Sequence, residues 1–275
     1  MEVALRATVV GRARTLRAAV LWVALIGLCS ARTAHAQAGP PYITNDPGTP
    51  GNGNWEINLG FMPTISRGDS SYQLPQIDLN FGLGERIQLT YEVPFVLHMD
   101  GTTTSGWGNG FPGIKWRFFD QGEDGWALST FPQIETGAGL LAQERAIGSP
   151  GPRLLLPVEA AKKIGPIELD VEAGYFFPRH GAARGERILG LVIGHEFTRR
   201  LELDAEIYDD HAIDVPPQGT TWDIGGRYKL SRSFIALFMA GRSLTGSSDG
   251  EPQFMSYLGI QILLSDYGLR LGGEP

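Results

Sequence analysis

The chain has 275 residues, 42% of them apolar and only 19% charged, with 37 Gly and 18 Pro. Aromatic residues at 10% exclude a disordered chain, and this density of helix breakers excludes a helical bundle. A formal charge of −7 leaves no basic footprint for nucleic acid, and the length suits one β domain of roughly 200–250 residues.

Residues 1–36 read as a Sec signal peptide. Arg6, Arg12, Arg14 and Arg17 form the basic start, Ala18–Leu28 the apolar run, and Ala34-His35-Ala36 the cleavage site. That run of 11 residues falls short of the roughly 20 that a spanning helix needs. Cys29 belongs to the signal, because Leu28 stands where a lipoprotein signal requires a small residue. Cleavage therefore leaves no cysteine, and with it no disulfide, thiolate or Cys-based metal chemistry. Five of the 23 basic and one of the 30 acidic residues leave with the signal, giving 18 against 29 and a net charge of −11.

Residues 37–53 are a separate N-terminal segment, expected in the periplasm or in a barrel lumen. Asp46–Asn54 offers oxygen ligands for calcium without the EF-hand spacing, and its turn-forming composition favours a structured segment tucked into the barrel.

From Trp55 onward, apolar and polar residues alternate with period two, the mark of strands with one apolar and one polar face. Ile167, Leu169, Val171, Ala173 and Tyr175 alternate with Glu168, Asp170, Glu172 and Gly174. Leu201, Leu203, Ala205 and Ile207 alternate with Glu202, Asp204 and Glu206. Twelve strands are predicted, at about 54–65, 72–82, 86–97, 110–119, 126–136, 152–162, 166–178, 186–197, 200–209, 219–230, 233–244 and 252–264. Short connections alternate with longer ones at 98–109, 137–151, 179–185, 210–218 and 245–251, and Leu140–Ile147 has room for a helical turn or two.

An even number of strands of about ten residues, with alternating short and long turns, is the signature of an outer-membrane β-barrel. The fold class expected is thus all-β, a transmembrane antiparallel barrel of about twelve strands over residues 54–264, followed by a tail at 265–275. A soluble β-sandwich shares the alternation, but strands of this kind leave no second apolar layer for its core. Aromatics also gather at strand ends. Trp55, Phe81, Trp116, Phe118, Trp126, Phe197, Tyr228 and Phe234 lie toward the short turns, and Phe61, Tyr72, Phe95, Phe111, Tyr175, Phe177, Trp222 and Phe254 toward the long loops.

Two segments resemble a known family. Pro41-Tyr-Ile-Thr-Asn-Asp-Pro-Gly-Thr-Pro-Gly-Asn-Gly-Asn-Trp-Glu-Ile-Asn-Leu59 is similar to the opening of the transporter-like outer-membrane family of phenol-degradation meta-cleavage pathway proteins. Gly106-Trp-Gly-Asn-Gly-Phe-Pro-Gly-Ile-Lys-Trp-Arg-Phe118 resembles that family's return from a loop into a strand, where the resemblance implies an acidic residue in place of Asn109. It covers about residues 40–264 and implies a transporter in the bacterial outer membrane. The chain ends in Leu271-Gly-Gly-Glu-Pro275 rather than a terminal aromatic, so the signal for the outer-membrane assembly machinery is expected within Tyr257–Leu264.

Catalytic motifs are weak. Gly108-Asn-Gly-Phe-Pro-Gly113 matches a dinucleotide fingerprint but follows a loop and contains Pro112, so it reads as turn chemistry. His195-Glu196 lacks the second histidine of a zinc motif, since Arg199 occupies its position. His98, His180 and His211 fall at loop ends, where three ligands have to converge before a metal binds. No cofactor or metal is expected. A lipid hydrolase would use His195 on the lipid face, but no motif sets a Ser beside it.

Polar parity assigns an inward face. Its acids are Glu56, Asp78, Glu92, Glu168, Asp170, Glu172, Glu196, Glu202, Asp204 and Glu206, and its bases are Lys115 and Arg117 on one strand and Arg227 and Lys229 on another. These predict a charged belt near the short-turn end, with acidic sectors between two basic posts. Toward the long loops the inward residues become Met62, Leu155, Phe176 and Tyr208, an apolar vestibule for a ligand. The expected function is passive uptake of a small hydrophobic compound, aromatic compounds included, with outer-membrane lipid as the surroundings. The alternatives are a structural barrel with a salt-bridged lumen and an outer-membrane lipid hydrolase.

Overall fold

The computed structural model describes residues 39–122, 125–177, 185–212, 219–244 and 251–265. The signal at 1–36, His180, most of the connections at 179–185, 210–218 and 245–251, and the tail beyond 265 lie outside the described residues.

The strands are β1 (Trp55–Ser66), β2 (Asp69–Gly82), β3 (Ile87–Met99), β4 (Thr103–Trp107), β5 (Phe111–Asp120), β6 (Trp126–Thr130), β7 (Gln133–Glu135), β8 (Arg153–Ile164), β9 (Ile167–Phe177), β10 (Glu186–Thr198), β11 (Leu201–Ala212), β12 (Thr221–Lys229), β13 (Phe234–Ser243) and β14 (Phe254–Leu264). One short helix, α1 (Leu140–Glu144), sits in the connection before β8.

These segments build a closed antiparallel barrel of twelve staves. β4 and β5 form one stave, since both pair with β3, Phe95↔Trp107 above and Glu92↔Phe111 below. β6 and β7 form another, pairing in turn with β8 at Trp126↔Lys162 and Gln133↔Leu155. β1 closes the ring against β14, from Trp55↔Leu264 to Ile65↔Phe254. Closure satisfies every stave on both sides, which is what a strand in lipid requires.

Three expectations are corrected here. The connection expected at 98–109 is mostly strand: β3 runs to Met99 and β4 starts at Thr103, so only a tight turn separates them. The strand expected at 126–136 breaks at Phe131-Pro132, because proline has no N–H for the ladder. Proline also disturbs β2, where the β1 and β3 registers shift around Leu74-Pro75.

Outward residues are apolar along the staves. Ile114, Val158, Leu189, Ile224 and Leu258 are each more than half exposed. A water-soluble surface does not carry so continuous an apolar band, whereas a lipid-facing one does. Trp116, Phe118, Trp126, Phe197, Tyr228 and Phe234 are exposed at the short-turn end, and Phe177, Trp222 and Phe254 at the long-loop end, joined there by Trp107. Phe111 is the exception among the expected girdle residues. It has the inward parity of Lys115 and lines the lumen.

Candidate functional site

The N-terminal segment, residues 39–54, occupies the lumen. Its prolines and glycines prevent it from forming a ladder, yet its backbone polar groups still need partners. The inward charges of the barrel supply them. The Ile43 N–H donates to Glu206 Oε2 at 3.1 Å and the Thr44 N–H to Glu206 Oε1 at 2.6 Å. The Asn45 N–H donates to Glu172 Oε2 at 2.8 Å. On the carbonyl side, Arg227 Nη2 donates to Gly39 O at 3.2 Å and Pro40 O at 2.9 Å, and Lys115 Nζ donates to Asp46 O at 2.5 Å.

The segment therefore enters beside Arg227 near the short-turn end, rises to an apex at Thr44, and returns past Lys115. It leaves along β2, where the Gly53 N–H donates to Gly82 O at 2.9 Å and the Gly82 N–H to Asn54 O at 3.0 Å. Two glycines give it room. A Cβ on Gly82 would fall 1.8 Å from Gly51 O, and one on Gly190 would fall 2.0 Å from Thr44 Oγ1. Tyr42 anchors the segment in a buried apolar sector made by Val192, Ile235, Leu237, Met239, Met255 and Tyr257.

Hydrogen bonds between buried amides and carboxylates are worth about 1.5–3 kcal/mol each, so this segment is a seated plug rather than a loose tail. Burial pushes the Asp46 carboxyl above its ordinary value, against the downward pull of Lys115.

Ion pairs complete the belt. Lys115 lies 3.7 Å from Glu159, Arg227 4.0 Å from Glu202, and Lys229 3.8 Å from Glu196. Arg117 stands at the rim, 3.3 Å from Asp120, with Nη2 donating to Glu85 O at 2.7 Å. Asp170, Asp204 and Arg227 are buried around the plug, whereas Lys229 is partly exposed at the rim.

Beside and above the plug, toward the long loops, lies a cavity of about 700 Å³. Met62, Leu155, Phe176 and Tyr208 all line it, as do Glu56, Asp78, Glu92, Lys115 and Glu172. Glu168, Asp170, Glu202, Asp204, Glu206, Arg227, Lys229 and Arg117 do not. Arg153 sits 4.6 Å over the Phe176 ring and pairs with Glu135 at 2.5 Å and Glu186 at 2.7 Å. Asn109 donates from Nδ2 to Glu135 Oε1 at 2.6 Å, so an acid at this position would face Glu135 charge to charge.

Sequence reading missed Glu159, Glu135 and Asp223, all inward and buried, and the apolar sector of β13 and β14. Counting by twos from Arg227 reaches Asp223, and counting from Leu155 reaches Glu159. β13 is apolar on both faces, so parity there has no contrast to read.

The remaining motif residues stand apart. His195 points outward with Nδ1 donating to Pro166 O at 2.7 Å, and its ring packs edge-on against Phe197. His98 lies between Asp69 and Asp100 at 3.4 and 3.7 Å, and His211 lies 2.8 Å from Asp209. Among the described residues no three potential metal ligands converge.

No family model and no curated protein matches the chain. Solved structures do. The COG4313 outer membrane channel from Pseudomonas putida F1 superposes with a TM-score of 0.62 at 12% identity, over 86% of this chain and all of that one. The KdgM porin matches with a TM-score of 0.52 at 9% identity, over 75% and 98% of the two chains. The NanC porin matches with a TM-score of 0.52 at 6% identity, over 76% and 98%. At such identities the likeness is one of fold. Together with the closed ring and the apolar outer face, it defines the chain as an outer-membrane β-barrel. The architecture is that of bacterial porins and channels.

Proposed function

We propose that the protein is a passive outer-membrane channel for small hydrophobic compounds, aromatic ones included. The observation that carries this reading is the cavity of about 700 Å³ with Met62, Leu155, Phe176 and Tyr208 on its wall and the plug beneath. Its size suits a small-molecule site, and the apolar residues on its wall offer a surface for the body of such a molecule. The resemblance of the opening segment to phenol-degradation pathway barrels supports the same class of compound. In this reading an apolar molecule enters from the long-loop side, and a shift of the plug lets it pass. No energy-coupling cofactor takes part.

The test is uptake of a panel of labelled hydrophobic compounds by cells with and without the gene. Faster uptake of a subset, abolished by Leu155→Asp with Phe176→Asp, is the expected result. Equal uptake across the panel would refute it. The second reading, a structural barrel with a closed lumen, draws on the plug's hydrogen bonds to Glu172 and Glu206 and predicts that outcome.

A further inference from the structure

The cavity has two unlike walls. Leu155, Phe176, Ile188 and Tyr208, from β8 to β11, give one its apolar surface, beside Arg153, Glu172, Glu186 and Asp210 from the same strands. β1 to β3 supply Glu56, Asp78 and Glu92 to the other. Register sets Asp78 directly opposite Glu92, and like charges so placed repel unless something compensates them.

Four acids elsewhere in the lumen are compensated directly. Glu159 has Lys115, Glu202 has Arg227, and Glu172 and Glu206 have the amides of the plug. The acids of the β1–β3 wall are held only by side-chain amides. Gln76 Nε2 donates to Glu92 at 2.8 Å, and Asn58 Nδ2 donates to Asp78 at 2.9 Å and to Glu56 at 3.3 Å. Among the described residues no Lys, Arg or His nitrogen comes within 4.0 Å of these three carboxylates.

The amides themselves add acceptors. Asn58 is fully buried between Glu56 and Asp78, and its Oδ1 meets no donor; Gln76 Oε1, on the cavity wall, is also buried without one. The wall therefore presents three carboxylates and no cation of its own, among the neutral amides and hydroxyls of Thr64, Gln73, Asn80, Gln88 and Thr90. The nearby cations are occupied: Lys115 by Asp46 O and Glu159, Arg153 by Glu135 and Glu186.

We propose that the cavity binds an apolar molecule bearing a cationic amine. The ammonium sits against Asp78 and Glu92, where it supplies the missing positive charge, and the aromatic or aliphatic body lies against Phe176 and Tyr208. Carboxylate-bearing molecules of the same shape are disfavoured, because they meet three like charges and no cation on that wall. This rests on the reading of the cavity as the ligand chamber of a channel.

The test uses the mature full-length protein in lipid nanodiscs, with empty nanodiscs subtracted, titrated calorimetrically with 4-phenylbutylamine, 4-phenylbutanol and 4-phenylbutyrate. The amine is expected to bind about tenfold or more tighter than the alcohol, the size of one charge-assisted hydrogen bond, and the butyrate more weakly than either. Asp78→Asn with Glu92→Gln should erase the amine's advantage over the alcohol. Glu92→Gln alone should remove part of it, which reads the same effect should the double variant fail to assemble. Equal affinity for amine and alcohol, or an advantage that survives the substitutions, overturns the amine assignment and leaves the channel reading standing. Binding of none of the three overturns both.

Discussion

Gly190 is where one methyl group ought to unseat the plug. A Cβ at this position falls 2.0 Å from Thr44 Oγ1 and 2.9 Å from both Thr44 Cβ and Cγ2. Carbon atoms in contact prefer about 3.5–4.0 Å, and Thr44 has no exposed surface through which to retreat sideways. In Gly190→Ala the apex must move away from β10, stretching the bonds that Ile43 and Thr44 give to Glu206. Overpacking costs about 1–3 kcal/mol and one lost charge-assisted hydrogen bond about 1.5–3, so seating should weaken by about 2.5–6 kcal/mol. Residues 37–275 contain no cysteine, so in a chain of those residues Ile43→Cys reports release through the rate of maleimide labelling. In that background Gly190→Ala should accelerate labelling by about fiftyfold or more. Thr44→Gly removes all three clashing atoms and should restore the slow rate in the double variant. Gly139→Ala, with no atom within 4 Å of its added Cβ, is the control. An unchanged rate in Gly190→Ala, or no rescue by Thr44→Gly, would refute the seating geometry.

Other consequences are as direct. Arg227→Glu with Lys229→Glu should lower the unfolding temperature in detergent through loss of the buried Arg227 partners, worth about 3–5 kcal/mol, while Arg199→Glu with Arg200→Glu on an exposed turn should do little; equal melting of the two pairs would contradict the inward parity of β12. Asp46 has a raised pKa when seated, so the docked plug holds a proton that the released segment gives up, and seating should weaken as pH rises through the window above the ordinary value of 3.8. The ratio of Ile43→Cys labelling in wild type to that in Asp46→Asn should accordingly climb from about pH 4 to 8, and a flat ratio would sink the assignment. Cysteines at the exposed Ser105 and Ser149 should label from outside intact cells, and protection of both would invert the orientation of the barrel.

What the sequence made legible follows from contrast between faces. In β9 through Glu172 and in β11 through Glu206 every second residue is charged and its neighbours are apolar, so period, strand and inward face read together. In β13, Phe234–Ser243, both faces are apolar, and nothing in the pattern announces that Ile235, Leu237 and Met239 turn inward to receive Tyr42. The break in the 126–136 stave was signalled by Pro132, and the bulge in β2 by Pro75, but a proline marks a defect without saying which way the chain resumes. The plug was legible as a turn-rich segment tucked into the barrel, but not in its path. Its path depends on which carboxylates and cations its amides and carbonyls meet, and those lie 69 to 188 residues away.

That distance also explains why the belt looks different in the structure from a belt balanced within itself. Inward acids outnumber inward bases, and the two buried bases, Lys115 and Arg227, each give donors to plug carbonyls as well as lying near Glu159 and Glu202. Peptide groups take up part of the remainder: amides of residues 43–45 face Glu206 and Glu172, and carbonyls of residues 39, 40 and 46 face Arg227 and Lys115. One irregular segment thereby satisfies its own backbone and part of the barrel's charge in the same contacts. Taking it away would strand both sets at once, two carboxylates without donors and backbone groups without partners, in a lumen where an unpaired charge is costly. Any movement that opens the barrel has to replace those contacts with water or with ligand. The plug and the belt are one device for that reason, and neither has a stable reading without the other.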